Sequence, residues 1–203
     1  DAGAWSYIPN AFGELSSQTD AKNQTTSFSW DQLSRLLTRV EAEGTTTWTW
    51  GTSAANHNIG RLAAISSPGG YSESYTWDSY GRPSAQTVTA DGTSYSINRT
   101  YYTTTGQLAA LQYPTSTSGY RLRVRYEYSN NLLRQVHDYN SSAVFWEALT
   151  TDAFGHVKDE TFGNGVRTIT RFDPASGRME ARQTGLGGGS GLINAATSWD
   201  LNG

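Results

Sequence analysis

Cysteine is absent from this chain of 203 residues, and charged residues and long apolar runs are sparse. Without cysteine there is no disulfide framework and no thiolate metal site. No stretch approaches the roughly 20 apolar residues of a membrane-spanning helix, and Asp1 to Trp5 has neither the basic start nor the apolar run of a signal peptide. A net charge of -3 and a pI near 5.6 argue against broad nucleic-acid binding.

Aliphatic residues are too few for an ordinary β-sandwich. Hydrophobic residues make up only 36% of the chain and aromatic residues 12%, and mean hydropathy is -0.57. A sandwich of this length needs two sheets whose inner faces share a continuous core of Val, Ile and Leu. The composition therefore favours a large, thin β structure, in which cross-strand pairs each contribute roughly 0.2 to 1 kcal/mol.

A short phrase recurs along the chain, and its clearest copy is Tyr75-Thr76-Trp77-Asp78-Ser79-Tyr80-Gly81-Arg82. Looser copies are Phe28–Leu36, Thr100–Leu108, Thr151–Val157, Phe172–Met179 and a worn ninth copy, Trp199–Gly203. The turn residue of each copy serves as a marker: Gly13, Ser34, Gly60, Gly81, Gly106, Asn131, Gly155, Gly177 and Gly203. Successive markers lie 21 to 26 residues apart, which is typical of a repeat protein.

Apolar positions inside each repeat alternate at period two, the pattern of a β-strand with two different faces. From Tyr120 to Tyr128, alternate residues are apolar or aromatic and those between them are charged. Thr47–Trp50 and Ser74–Trp77 show the same alternation. The charged positions, Arg121 to Glu127, predict a solvated strand face in preference to an anion site.

Two kinds of turn are predicted between the strands. Asp91-Gly92 and Asn164-Gly165 suit two-residue hairpins because these residues tolerate positive φ. In the copies with Asp78 and Asp152, the carboxylate can accept hydrogen bonds from backbone N–H groups two residues on, while glycine takes the left-handed position. Aromatic residues at equivalent places are expected to stack from one repeat to the next: Trp30, Trp50, Trp77, Tyr101, Tyr128 and Phe172.

The order aromatic-x-aromatic-Asp-x-x-Gly-Arg resembles the YD repeat of Rhs proteins, of the C components of insecticidal toxin complexes and of the teneurins. The resemblance covers residues 1–203 as a single run of about eight to nine repeats. Ser34 departs from it by replacing the turn glycine, and Gly51 replaces the Asp after Trp50 and opens an insertion over 51–60. Tyr128–Leu132 lacks both Asp and Gly, which leaves that turn's geometry open.

The resemblance implies an all-β fold, in which antiparallel hairpin repeats form a curved or spiralling β-strip that is a fragment of a longer hollow shell. It implies a structural, non-enzymatic function, since such shells enclose a C-terminal toxin or effector domain. The implied partners are flanking repeats and the enclosed domain, in a protein secreted or displayed at the surface, typically of a bacterium. The alternative is a teneurin-like adhesion or carbohydrate-binding module whose exposed aromatic side chains contact a glycan or receptor.

No residue group in the sequence predicts a catalytic, cofactor or metal site. His57, His137 and His156 are far apart and have no partners at zinc-ligand spacing. The segment Gly185–Gly191 lacks the ending of a phosphate loop and predicts an inter-strand loop. Asp173–Gly177 partly resembles the Asp-Pro-x-Gly element with which Rhs core domains cut themselves, but the leucine after that glycine is missing, so no protease role is assigned.

The repeat interpretation predicts almost no helix in this chain, because period-two alternation and frequent turns leave no helical segment. Far-ultraviolet circular dichroism, corrected for the aromatic contribution, measures this directly. A helix content above about a third, the average for globular proteins, would contradict the interpretation.

Overall fold

The structure is a computed structural model that describes residues 3–189 and 191–198. Within them seventeen strands follow one another, with one short 3-10 turn at Pro68–Gly70. The strands are β1 Ser6–Pro9, β2 Leu15–Thr19, β3 Thr25–Trp30, β4 Leu36–Glu41, β5 Gly44–Trp50, β6 Leu62–Ser66, β7 Ser72–Trp77, β8 Pro83–Ala90, β9 Thr93–Tyr101, β10 Leu108–Thr115, β11 Arg121–Ser129, β12 Leu132–Asp138, β13 Val144–Thr151, β14 Val157–Phe162, β15 Val166–Phe172, β16 Met179–Leu186 and β17 Ile193–Ala196. The all-β class is confirmed; the ninth copy, Trp199–Gly203, lies outside the described residues.

The chain divides into two compact units, the first with the described residues up to Arg99 and the second with those from Thr100 onward. In the first unit, each strand from β1 to β8 pairs antiparallel with the strand that follows it. In the second unit the same holds from β10 to β16. The predicted antiparallel hairpin repeats are thus confirmed. Across the described part of the chain, no helix has the length and apolarity that a membrane crossing requires.

Four connections after odd-numbered strands are five-residue loops, each built around one side chain: Asn10, Asp31, Asp78 or Asp152. Between β7 and β8, Asp78 Oδ1 accepts hydrogen bonds from the backbone N–H groups of Tyr80 and Arg82, each at 2.9 Å. The N–H of Gly81 donates to Asp78 O at 2.8 Å. The predicted acceptor role of the loop carboxylate is confirmed.

The side chain four positions after the loop carboxylate turns back to it, which the sequence pattern did not predict. Arg82 Nε and Nη2 lie 2.8 and 2.7 Å from Asp78 Oδ2. Arg35 contacts Asp31 in the same way, at 2.7 and 2.6 Å. The Arg35 side-chain hydrogen bond is the largest cause of an Asp31 pKa below its ordinary value. The Asp31 and Asp78 loops therefore close through a charge-assisted fork as well as through their backbone.

Left-handed backbone occurs at the markers that lack glycine. Ser34 has φ 58 and Asn131 has φ 63. Asn130, with φ 51, precedes Asn131 in a two-residue turn between β11 and β12, which settles the geometry that the pattern left open, since Asn tolerates this region. The two-residue hairpin predicted at Asp91-Gly92 is confirmed, with φ of 49 and 71.

The two-residue hairpin predicted at Asn164-Gly165 is wrong, because β14 and β15 are joined by three residues, 163–165. The N–H of Gly163 donates to Phe145 O at 3.0 Å. A Cβ on Gly163 would come within 2.3 Å of Val144 O. The close approach of the β13 backbone therefore requires glycine at position 163.

The insertion after β5 folds back on Gly51. Gly51 N donates to Arg61 O at 2.7 Å, and Gly60 N donates to Gly51 O at 2.9 Å. Asn58 Oδ1 accepts from Ser53 N at 3.0 Å, and a Cβ on Gly51 would lie 2.3 Å from Asn58 Cγ. The Asn58 amide fills the space beside Gly51, so the aspartate of the other copies has no room at this position.

Direct stacking of aromatic rings between successive repeats, expected from the sequence, is corrected by the structure. In the first unit, guanidinium groups lie between repeats. Arg35 Cζ is 4.9 Å from the ring centroid of Trp50, and Arg61 Cζ is 4.8 Å from that of Trp77. A cation over an indole face is attracted by the negative face of the ring, at about 0.5 to 1 kcal/mol when exposed. The repeat that contains Arg35 and the one that contains Arg61 are each coupled to the following repeat by a cation on a ring.

The second unit varies this coupling. His156 stacks on Phe172 with centroids 4.6 Å apart and planes inclined by 24°, in the place that arginine takes in the first unit. Tyr102 and Tyr128 meet edge to face at 6.2 Å. The expectation that the aromatic positions carry inter-repeat contacts therefore holds, although their partners differ from those expected.

Indole N–H groups add a second link between strands. Trp30 Nε1 donates to Leu15 O at 2.8 Å, and Trp50 Nε1 donates to Leu36 O at 2.9 Å. Trp77 Nε1, by contrast, is buried without a hydrogen-bond partner. In the first two cases the ring at the end of one strand is tied to the start of the strand before it.

Very little of the chain is buried, as the composition predicted. Among the described residues the buried apolar side chains are Ala110, Val124 and Ala148, and no large side chain is fully buried. Hydroxyl pairs bridge neighbouring strands, as between Thr168 and Thr184 at 2.9 Å. Stability in such a sheet rests on ladders, loops and cross-strand pairs.

The fold predicts different costs for alanine at two glycines with the same backbone. Gly81 and Gly92 have φ of 70 and 71, so both substitutions strain the backbone by about 1 to 2 kcal/mol. A Cβ at Gly81 would also lie 2.5 Å from Arg61 Nη2, whereas nothing lies within 4 Å at Gly92. Gly81→Ala should therefore displace Arg61 from Trp77 and lower the melting temperature more than Gly92→Ala.

Thermal unfolding of both variants, repeated in an Arg61→Ala background, checks this. The difference between the two glycine positions should disappear once Arg61 is gone. Equal effects of the two variants in the natural background would contradict the coupling of Arg61 to Trp77.

Candidate functional site

The three histidines do not come together in the structure. His57 lies in the insertion with φ 53. His137 is buried on β12, and His156 Nδ1 lies 2.8 Å from Asp152 Oδ2 in its loop. Over residues 3–189 and 191–198, no group of three or more acidic, cysteine or histidine side chains is placed to hold a metal ion. That the chain has no catalytic, cofactor or metal residues stays a prediction.

The most strongly perturbed carboxylate is Asp138, at the end of β12. Its Oδ1 accepts from the N–H groups of Asn140 and Ser141, each at 2.8 Å, and its Oδ2 accepts from the Tyr120 hydroxyl at 2.8 Å. The Ser141 backbone bond, followed by that from Tyr120, lowers the pKa of Asp138 to about 2. A carboxylate held in this way is a loop anchor and a poor general base, because base catalysis works best when the pKa lies near the operating pH.

The arginines of β11 are engaged within the sheet. Their contacts are Tyr113 O for Arg121 at 2.8 Å, the Tyr139 ring for Arg123 at 3.6 Å, and Glu127 Oε1 for Arg125 at 3.2 Å. Nε2 of His137 also lies 3.2 Å from Glu127 Oε1, though not in hydrogen-bond geometry. This arrangement matches the predicted strand face and not an anion site.

Two sequence motifs that suggested chemistry are parts of turns. Asp173 Oδ1 accepts from Ala175 N at 3.2 Å and from Ser176 N and Oγ at 2.7 Å, and the Ser176 bonds lower the pKa of Asp173. Gly185 and Leu186 end β16, residues 187–189 and 191 lie between β16 and β17, and no helix follows within the described residues; Ser190 lies outside them. The predicted inter-strand loop is confirmed for residues 187–189 and 191.

The sequence did not predict a hydrogen-bonded cluster around the carboxylate of Glu73 on β7. Glu73 accepts hydrogen bonds from the hydroxyls of Tyr71 and Tyr75, and from Gln86 Nε2 at 3.2 Å. These bonds, first that of Tyr71, hold the pKa of Glu73 below its ordinary value. Burial, followed by the bond to Glu73, raises the pKa of Tyr75 to about 12. The alternation Tyr-x-Glu-x-Tyr at 71, 73 and 75 was the available signal, since period two puts these residues on one face.

Large apolar side chains project from the loops that carry the markers. In the first unit they are Phe12, Leu33, Ile59 and Tyr80, which are 88%, 71%, 65% and 75% exposed. We call these four residues the loop-tip row. Each directly precedes its marker, and this recurrence places one apolar group on every repeat of the unit. Such a row is a surface feature able to contact another molecule.

The Asp138 anchor predicts a loss of stability in acid. Its folded pKa, about 2, is below the ordinary value of 3.8, so its contribution is complete above that ordinary value and is lost as pH falls from there toward 2. Asp138→Asn should remove this part of the pH dependence, measured by urea unfolding between about pH 5 and pH 2. Asp91→Asn, at an exposed turn, is the control, and equal acid sensitivity of the natural protein and Asp138→Asn would contradict the anchor.

One family model and several solved structures match the chain. Residues 10–46 and 59–94 match the family model of the RHS repeat. No curated protein sequence matches the chain at a significant level. The matched stretches lie in the first unit and contain its Asp31 and Asp78 loops.

Solved toxin structures share the fold. A crystal structure of TcdB2-TccC3 aligns with a TM-score of 0.73 at 18% identity, over 100% of this chain and 11% of that chain. A structure of the Photorhabdus luminescens Tc holotoxin pore with a mutated TccC3 gives 0.71 at 18% identity, over 98% and 11%. A crystal structure of TcdB2-TccC3-TEV gives 0.69 at 18% identity, over 92% and 10%.

At this identity the likeness shows the fold alone, and the chain spans about a tenth of the length of these structures. The resemblance first seen in the aromatic-Asp-Gly order is nevertheless confirmed by the match to the repeat model. In its repeat sequence this chain is similar to the Rhs-repeat, or YD-repeat, family, whose model matches residues 10–46 and 59–94, and it shares the fold of the solved TccC3-containing structures.

Proposed function

We propose that this chain is a structural, non-enzymatic segment of an Rhs-repeat β-shell that encloses a C-terminal toxin or effector domain. The observation that carries the proposal is the use of the polar groups. The loop carboxylates of Asp31, Asp78 and Asp152 are engaged by their own loops. In such a repeat the charged groups close the loop and contact the next repeat. This use of the charged groups suits a structural repeat that forms the wall of a shell.

The small number of buried apolar side chains supports the same function. The apolar side chains that are buried in the described residues are few and small, so a strip of these repeats encloses volume with little material. Antiparallel hairpins added end to end extend such a strip without limit, and the natural twist of strands curls it. In this proposal the partners are flanking repeats, which pair along strand edges, and the enclosed domain, in an exported protein.

A second candidate function is adhesion, and the loop-tip row favours it. Phe12 and Tyr80, at 88% and 75% exposure, offer rings on which a sugar or a receptor could pack. Repetition argues against this alternative, because a row on every repeat also suits contact between repeats. The two functions differ in the effect of removing the loop-tip row. Removal would abolish binding to a cell surface if the chain is an adhesin, and it would open the wall if the chain is part of a shell.

Enclosure predicts that damaging the loops exposes the enclosed domain to protease. In the full-length protein that contains this chain, Asp31→Ala with Asp78→Ala removes two loop acceptors and should open the wall. We expect the C-terminal region to be digested at least about tenfold faster than in the natural protein, since cleavage follows the population of open states.

Gln32→Ala with Ser79→Ala is the matched control, because both residues are exposed members of the same two loops and should leave digestion unchanged. Equally fast digestion of the C-terminal region in the natural protein would overturn enclosure. If Phe12→Ser with Tyr80→Ser abolished binding to cells or glycans while protection persisted, adhesion would replace it.

A further inference from the structure

One face of the first unit consists almost entirely of hydroxyl side chains. Directly opposed residues share a face of a sheet, and the registers from β2 to β9 link 21 positions on one side. Seventeen of these are Ser or Thr: Ser17, Thr19, Thr25, Ser27, Ser29, Thr38, Thr45, Thr47, Thr49, Ser66, Ser72, Ser74, Thr76, Thr87, Thr89, Ser94 and Ser96. The others are Val40, Ala64, Ala85 and Asn98. We call this set the hydroxyl face.

The opposite side of the same strands is chemically different. It carries the aromatic residues and all of the charges of β2 to β9, including Arg39 and Glu73. We call it the mixed face. Alternation explains why two faces exist, but it does not explain why every charge and every aromatic ring lies on one of them.

The hydroxyl face resembles neither a core nor an ordinary protein surface. None of its 17 hydroxyl residues is buried, so it is wet. A surface designed for solubility is about 25 to 35% charged, whereas this face has no charge at all. It also has no aromatic ring and only one large aliphatic side chain, Val40, so another layer would gain little by packing on it.

Many of the hydroxyls are already engaged with one another. Ser29 and Thr38 lie 2.5 Å apart across β3 and β4, and Thr87 and Ser96 lie 2.8 Å apart across β8 and β9. The pairs Thr89–Ser94 and Thr19–Thr25 repeat this at 2.8 and 2.9 Å. A ligand would have to break these bonds to form its own, so its net gain from each new hydrogen bond would be small.

We propose that the hydroxyl face is a non-adhesive lining against which a polypeptide without tertiary structure lies unbound. This inference rests on the proposed function and identifies which face of the wall meets the enclosed chain. An unfolded polypeptide exposes apolar side chains together with charges of both signs. A surface that holds none of it must therefore lack apolar patches and charges of either sign, and the hydroxyl face meets both conditions.

Binding of an unfolded probe to the chain tests the proposal. The probe is reduced and carboxymethylated α-lactalbumin, a polypeptide that cannot fold, and its binding is followed by fluorescence anisotropy. The affinity of the natural protein, whose mixed face carries apolar side chains, is the reference. Thr49→Val with Thr87→Val adds apolar surface to the hydroxyl face at one exposed and one half-buried position, and should raise affinity for the probe at least tenfold.

The matched control is Thr26→Val with Thr93→Val, the same change at one half-buried and one exposed position of the mixed face. It should leave binding unchanged, because that face already carries apolar side chains. An unchanged affinity for the probe in Thr49→Val with Thr87→Val would overturn the proposal. So would equal gains in the two variants.

A second variant guards against misfolding of the first. Thr45→Lys with Thr49→Lys changes two exposed positions and should create salt-sensitive binding of the acidic probe; absence of such binding in the folded variant would count against the proposal. The outcome is separable from the protease experiment. Binding of the probe to the natural hydroxyl face would contradict this inference but not the structural role of the chain. Loss of enclosure in the protease experiment would contradict the proposed function but would not change the binding result.

Discussion

The carboxylate that closes the loops of Asp31, Asp78 and Asp152 is the interaction on which the rest of this structure depends. A single-layer sheet has no second layer to hold its hairpins together, so each turn must be rigid by itself. Asp78 achieves this by accepting two backbone bonds and a guanidinium fork. The same arrangement at Asp31 fixes the arginine that reaches the next repeat, so closure of one loop also sets the coupling between neighbours.

That coupling explains why the chain can be thin. Arg35 over Trp50 and Arg61 over Trp77 link two successive pairs of repeats in the first unit through partly exposed contacts. Contacts of this kind work in water, because the cation keeps much of its hydration while the ring gains a partner. A repeat protein needs only such nearest-neighbour terms. The scarcity of buried apolar residues is therefore compatible with a stable fold.

The different side chains on the two faces are related to the same scarcity of buried apolar residues. Rings and charges gather on the mixed face, where Glu73 is held by Tyr71 and Tyr75. The hydroxyl face is left with short side chains that pair across strands, as Thr87 does with Ser96. One side thus supplies cohesion, and the other remains free of groups that would adhere to a neighbouring chain.

The sequence by itself determined the repeat, the all-β class, the two faces and the acceptor role of residues such as Asp78, because period-two alternation and turn chemistry are local properties. Only the tertiary structure decided what lies between repeats. Arg35 and Trp50 are separated along the chain, and nothing local to either residue shows that a guanidinium would replace the expected second ring. The three-residue turn at 163–165 likewise depends on the backbone of Val144. These features arise from strand register and from the space left by neighbouring strands, which no local pattern records.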